Sequence, residues 1–129
     1  MNRAEAERFA DSWVQAWNAH DLDLVLGHFS DEVLFTSPVA AQLLAGSDGV
    51  IRGKRALRRY WAEGLRLIPD LHFDVVGVYV GVGALVINYS NQKGALVSEV
   101  LLFEDDLVKE GYGTYLDAGT DPAGVTREG

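Results

Sequence analysis

Ala95-Leu96-Val97-Ser98-Glu99-Val100-Leu101-Leu102-Phe103 is the stretch whose reading decides the fold. It predicts a β-strand, in which side chains alternate between two faces. Val97, Glu99, Leu101 and Phe103 share one face, and Leu96, Ser98, Val100 and Leu102 share the other. Both faces are largely apolar, so the strand is expected inside a sheet covered on both sides. Glu99 stands in the middle of the more aromatic face, with apolar residues two places away in each direction. An ionised carboxylate is costly to bury without a partner, and its pKa rises there unless a cation or donor answers it. Either Glu99 lines a cavity that uses it, or a neighbouring Arg, Tyr or backbone group satisfies it.

The segments around this strand read as the rest of a four-strand antiparallel meander. Leu71 to Val80 is a long strand in which Gly77 marks a bulge. Gly81-Val82-Gly83 turns it, and Ala84 to Ser90 returns with Leu85, Ile87 and Tyr89 on one side and Val86 and Asn88 on the other. Asn91-Gln92-Lys93-Gly94 has hairpin-turn chemistry. After Glu104-Asp105-Asp106 comes the last strand, Leu107 to Leu116. Strict alternation places Val108, Glu110, Tyr112 and Thr114 together on one of its faces.

Ahead of the meander the apolar period changes to three and four, which is helical. Asn2 to about His20 is a helix with Asn2 as N-cap and Glu5 at capping-box spacing. Ala6, Phe9, Ala10, Trp13, Ala16 and Trp17 form its apolar stripe. Asp21 caps a second helix, Leu22 to Phe29, and Ser30-Asp31-Glu32 breaks it. Val33 to Thr36 is a short strand ended by Ser37-Pro38. Val39 to Leu44 fits a short helix or a lid over a cavity mouth, and Val50-Ile51-Arg52 is extended. Gly53 to Leu67 is the third helix, with Ala56, Leu57, Tyr60, Trp61, Gly64 and Leu65 on its inner side. Its outer side is basic, through residues such as Lys54, Arg55 and Arg58, with Arg59–Glu63 an expected i,i+4 pair. That side is either a solvated face or a site for an anionic group.

The expected fold class is therefore α+β. A curved, mainly antiparallel sheet forms a cone-shaped barrel, and three helices from the N-terminal half cover its concave face. Residues 1–116 are expected to form a single domain, and 117–129, rich in Ala, Gly, Thr, Asp and Pro, a flexible tail. The outer sheet face, with Leu96, Val100 and Leu102, has no helix left to cover it, so a homodimer burying it is expected.

Composition narrows the function classes. A net charge of −8 disfavours nucleic acid, which attracts clustered Lys and Arg. The absence of cysteine excludes disulfides, thiol nucleophiles and thiolate metal sites. No apolar stretch is long enough to span a membrane, and Met1-Asn2-Arg3-Ala4-Glu5 lacks the apolar run of a signal peptide, so a cytoplasmic location is expected. No His/Asp/Glu spacing suits a metal ion, and no cofactor is expected.

Four groups of residues resemble the nuclear transport factor 2-like superfamily, and its SnoaL-like small proteins in particular. They are Trp13 to Asp21, Phe35 to Pro38, Ile51 to Leu57, and the strands ending in Glu99 and Tyr115. The resemblance spans about residues 2–116. It implies a pocket but no single reaction, because the superfamily includes isomerases, cyclases, dehydratases, epoxide hydrolases and non-catalytic binding proteins. The resemblance to its ketosteroid isomerases implies that Glu99 takes the place of the oxyanion-binding carboxylic acid. The general-base Asp of those enzymes precedes a proline, and here Ser37 precedes Pro38. Their helix-one tyrosine falls at Trp13. The missing base argues against an unmodified isomerase. Neither the Asp–Arg–Asp set of limonene-type epoxide hydrolases nor the paired histidines of scytalone-type dehydratases is evident. His20, His28 and His72 read as structural or solvated.

Two functions lead. One is an acid–base isomerase, dehydratase or cyclase acting on a hydrophobic small molecule, with Glu99 as proton donor or acceptor. Trp13, Trp17, Phe35, Tyr60, Trp61 and Phe103 are its candidate walls. Ser37 is a further binding candidate, and Tyr89 and Tyr112 are favoured over Asn88 as positioning donors. The other is a binding protein that uses the same pocket without turnover. A protein-interaction module using the outer sheet face is a third.

Overall fold

A computed structural model describes residues 1–116. Helix α1 spans Arg3–Asn18. Its capping box is formed: Glu5 N–H donates to Asn2 Oδ1 at 2.8 Å, and Asn2 N–H donates to Glu5 Oε1 at 3.2 Å. Its buried stripe is Ala6, Ala10, Trp13, Ala16 and Trp17. Helix α2 (Leu22–Leu26) is capped by Asp21 and is shorter than its apolar pattern suggests. Phe29 belongs to strand β1 (Phe29–Thr36), as do Ser30, Asp31 and Glu32, which were expected to be a helix breaker. The reason is tertiary: Phe29 pairs with Val108 and is fully buried. A register shift between Phe29 and Leu34 accommodates the polar residues between them.

Ser37 caps helix α3 (Pro38–Leu43), with proline in the first turn, where its missing N–H costs nothing. Strand β2 (Val50–Arg52) follows, entered from Gly49 at φ +81°. A Cβ at Gly49 would stand 2.8 Å from the Ser37 carbonyl oxygen, so glycine is required there. Helix α4 (Lys54–Leu67) buries Leu57, Tyr60 and Trp61. On its outer side Glu63 pairs with Arg66, one turn on, rather than with Arg59. Arg58 pairs with Asp23, and Lys54 with Asp31.

The meander is β3 (Asp74–Val80), β4 (Ala84–Ser90), β5 (Leu96–Glu104) and β6 (Leu107–Tyr115). The six-stranded sheet has the order β2-β1-β6-β5-β4-β3. It is antiparallel throughout except where β1 runs parallel to β6. The sheet is curved but does not close, since β2 and β3 are its two edges. Helix α1 packs on β3 and α4 on β1. The inner face carries Leu85, Ile87 and Tyr89 of β4 and Val97, Glu99 and Leu101 of β5, all buried.

Two bulges set which residues face inward. The first falls between Val75 and Gly77 on β3, as expected. The second shifts β6 against β5, where Leu102 pairs with Glu110 but Phe103 pairs with Val108. Lys109 is the extra residue, so Val108 faces the core while Glu110, Tyr112 and Thr114 face outward. The common face expected for Val108 and Tyr112 is thereby corrected. Among the described residues, no helix is long and apolar enough to cross a membrane. The tail expected over 117–129 lies outside the described residues.

Candidate functional site

Glu99 ends up at the floor of a cavity of about 100 Å³ between the helices and the inner sheet face. Helix α1 supplies Trp13 and Trp17, α4 supplies Tyr60 and Trp61, and β1 supplies Phe35 with Ser37 at its end. The meander contributes Tyr89, Val97, Glu99 and Tyr115. The rings pack against one another. Trp17 and Trp61 meet edge to face at 4.9 Å, and Phe35 meets Trp61 at 5.4 Å. Phe73 lies 4.3 Å from Tyr89 and also lines the cavity. Phe73 is held by Asn18, whose Nδ2 donates to the Phe73 carbonyl at 2.9 Å while its Oδ1 accepts the Phe73 N–H at 2.8 Å. The rim is half-buried and includes Gly64, Leu65, Ile68, Leu71 and Gln92.

The polar groups gather at the inner end. Glu99 is 7% exposed, and Tyr89 Oη donates to its Oε1 at 3.3 Å. Across the sheet Glu99 pairs with Gly113. A Cβ at Gly113 would meet Ser37 Oγ at 3.3 Å, so the missing side chain makes room for the serine hydroxyl. That hydroxyl accepts the Val39 N–H at 3.1 Å and caps α3.

Burial pushes the Glu99 carboxyl up to about 7, and the Tyr89 hydroxyl acts weakly the other way. Burial likewise pushes Tyr60 up to about 12, opposed by the Ser37 hydroxyl and reinforced by the Glu99 charge. Tyr89 and Tyr115 are raised by burial and by the Glu99 charge. The site therefore holds one carboxyl that burial makes easier to protonate and three phenols that remain donors at neutral pH. None of the described lining residues is Lys, Arg or His. Among the described residues, no three His, Asp or Glu side chains are grouped to hold a metal ion.

The structure brings together Glu99, Trp13, Trp17, Phe35, Ser37, Tyr60, Trp61 and Tyr89. It leaves out two candidates. Phe103 packs edge-on against Phe9 at 5.2 Å, away from the cavity lining. Tyr112 lies on the outer face and donates to Glu110 Oε2 at 2.7 Å. Asn88 is also on the outer face, bonded to Ser98 Oγ and the Val97 carbonyl. Sequence reasoning missed Tyr115 and Phe73. Tyr115 follows from pairing with Val97, an inward residue, once the β6 bulge is known. Phe73 was expected within the strand Leu71 to Val80, but β3 begins only at Asp74, so strand alternation does not set the direction of Phe73.

The SnoaL-like domain family matches residues 10–97. A SnoaL-like protein of unknown function from Burkholderia thailandensis is 41% identical, with 91% of this chain and 99% of that one covered and a TM-score of 0.85. AclR, a proposed hydroxylase from Streptomyces galilaeus, is 20% identical over 89% of this chain and 91% of its own, with a TM-score of 0.68. A proposed ketosteroid isomerase from Kribbella flavida is 14% identical over 89% of this chain and 80% of its own, with a TM-score of 0.70. At the last two identities the likeness is one of fold alone. Among curated proteins nothing matches the sequence.

Proposed function

Because the chain belongs to the SnoaL-like domain family, we propose that its cavity takes up a hydrophobic small molecule and that Glu99 exchanges a proton with it. The observation that carries this reading is the Glu99 carboxyl buried inside an aromatic cavity beside the Tyr89 hydroxyl, where burial pushes its pKa up to about 7. A general acid or base works best when its pKa lies near the operating pH. Tyr60, Tyr89 and Tyr115, held protonated by burial, are suited to steady an oxygen that gains charge during the reaction. Isomerisation, dehydration and cyclisation fit such a site, since no activated Ser or Cys nucleophile accompanies the carboxyl. Ser37 has no carboxylate to replace a general-base Asp, so an unmodified ketosteroid isomerase mechanism is not part of this reading.

One observation favours binding without turnover as the second reading: the described lining holds no second carboxylate and no histidine to share the proton work. We place the protein in the cytoplasm, as a homodimer in which a second copy covers the outer sheet face.

A thermal-shift screen of hydrophobic molecules on wild type and Glu99→Gln separates the readings. A ligand at a hundredfold excess over Kd stabilises its protein by about 2.7 kcal/mol. Hits on both forms, with product seen by mass spectrometry only for wild type, are expected of the enzyme. Hits that never yield product point to the binding protein. Equal turnover by Glu99→Gln removes Glu99 from the chemistry.

A further inference from the structure

The Glu99 carboxyl has a single hydrogen-bond partner among the described residues, the Tyr89 hydroxyl at a long 3.3 Å. A carboxylate offers about four acceptor positions, so most of its capacity is unused. The described lining contributes no cation to answer its charge, and the described rim adds only apolar residues and the amides Asn91 and Gln92. A buried carboxylate without a counter-charge is strongly disfavoured, and a cation brought beside it removes the penalty. The walls are also of the kind that attract cations. Trp13, Trp17, Trp61, Tyr60, Tyr89 and Phe35 surround the space, and aromatic rings draw ammonium groups by their quadrupoles, most strongly where water is excluded. The volume of about 100 Å³ suits a compact group more than a polycyclic one. The net charge of −8 draws cations toward the molecule as a whole.

Resting on the reading of the cavity as a ligand site, we propose that its ligand carries a small organic cation, a protonated amine or a quaternary ammonium. The cation sits beside Glu99 with its carbon shell against the aromatic walls. Among the described residues of the lining, an anionic ligand would meet a carboxylate without a counter-charge and no basic side chain to hold it. A cationic ligand fixes Glu99 in its ionised form, which makes it the proton acceptor of the proposed chemistry rather than the donor.

Isothermal titration with three probes of one shape tests the assignment. They are choline, the neutral alcohol in which a tert-butyl group replaces the trimethylammonium, and the anion tert-butylacetate. At neutral pH, choline is expected to bind wild type about tenfold tighter than the neutral alcohol, a factor within the range of a desolvated cation–π contact. Tert-butylacetate is expected to be the weakest. Glu99→Gln should bring choline and the alcohol to similar affinities. If that variant fails to fold, the wild-type ranking decides, together with its pH dependence. Choline affinity should fall between about pH 8 and about pH 5.5 as Glu99 takes up a proton, while the alcohol is unaffected. Tyr60, Tyr89 and Tyr115 stay neutral throughout that range, and α1 presents only Trp13 and Trp17. A neutral alcohol that binds as tightly as choline overturns the cation while leaving the ligand site standing. A folded wild type that binds none of the three overturns both.

Discussion

Burial raises the Glu99 carboxyl from 4.5 to about 7, so stability must depend on pH with a definite sign. Between these values the folded protein holds a proton that the unfolded chain has already released. Stability is therefore full below about pH 4.5 and falls as pH rises through about 7, becoming level above it. The shift corresponds to roughly 3–4 kcal/mol at most, at about 1.4 kcal/mol for each pH unit. Denaturant unfolding at about pH 5 and about pH 8 should show wild type losing a large part of that amount, while Glu99→Gln loses none of it and gains slightly, because burial lowers the His28 pKa and makes its proton costly at the acid end. Equal slopes in the two proteins would mean that Glu99 is not the group responsible. At Tyr112 and Tyr115 alternation alone misled, because one inserted residue, Lys109, reverses the faces of a strand. The Glu99 position was legible because it rests on its own strand, whose inward set Val97, Glu99 and Leu101 contains no bulge.

Among the elements, α4 does most to shape the cavity mouth, and Gly64 is its weakest point. Gly64 lies within the helix, lines the cavity, and would meet nothing within 4 Å if given a Cβ. Helix interiors favour alanine over glycine by about 1 kcal/mol. Gly64→Ala is therefore expected to raise unfolding stability by about 0.5–1 kcal/mol. Gly64→Trp should keep the fold and slow or block ligand entry, read as loss of the thermal shift that wild type gives. A stabilised Gly64→Trp that binds ligand normally would move the entrance elsewhere. Elements whose ends are set locally were legible in sequence, such as the Asn2–Glu5 capping box, the Asp21 cap and the Gly77 bulge. The first half of β1 was not. Ser30-Asp31-Glu32 has no strand pattern of its own, and only pairing of Phe29 with Val108 on a strand distant in sequence makes it one. The parallel β1–β6 pair belongs to the same class of long-range information.

Across the whole molecule, the helices and the sheet's outer face are on opposite sides. Trp13 packs on Tyr89 and Trp61 on Phe35, both on the inner face. On the other side, Leu34, Val86, Val100 and Leu102 are only half-buried, and Val100 lies between Val86 and Tyr112 in the ladder. A row of apolar side chains at the centre of a sheet costs free energy in water, about 25 cal/mol for each Å² left uncovered. A second copy of the same face is self-complementary by symmetry and removes that area from both chains at once. Val100→Lys places a charge at the middle of the face without touching the cavity, because its side chain points away from Glu99 and its neighbours. The variant is expected to shift from dimer to monomer by light scattering while its circular dichroism and its cavity ligands stay as in wild type. A dimer that survives this charge would exclude the face as the interface. A wild type that is already monomeric would mean that the half-buried face is tolerated in water. Loss of ligand binding together with dimerisation would instead tie the cavity's shape to the curvature that the paired sheets impose on each other.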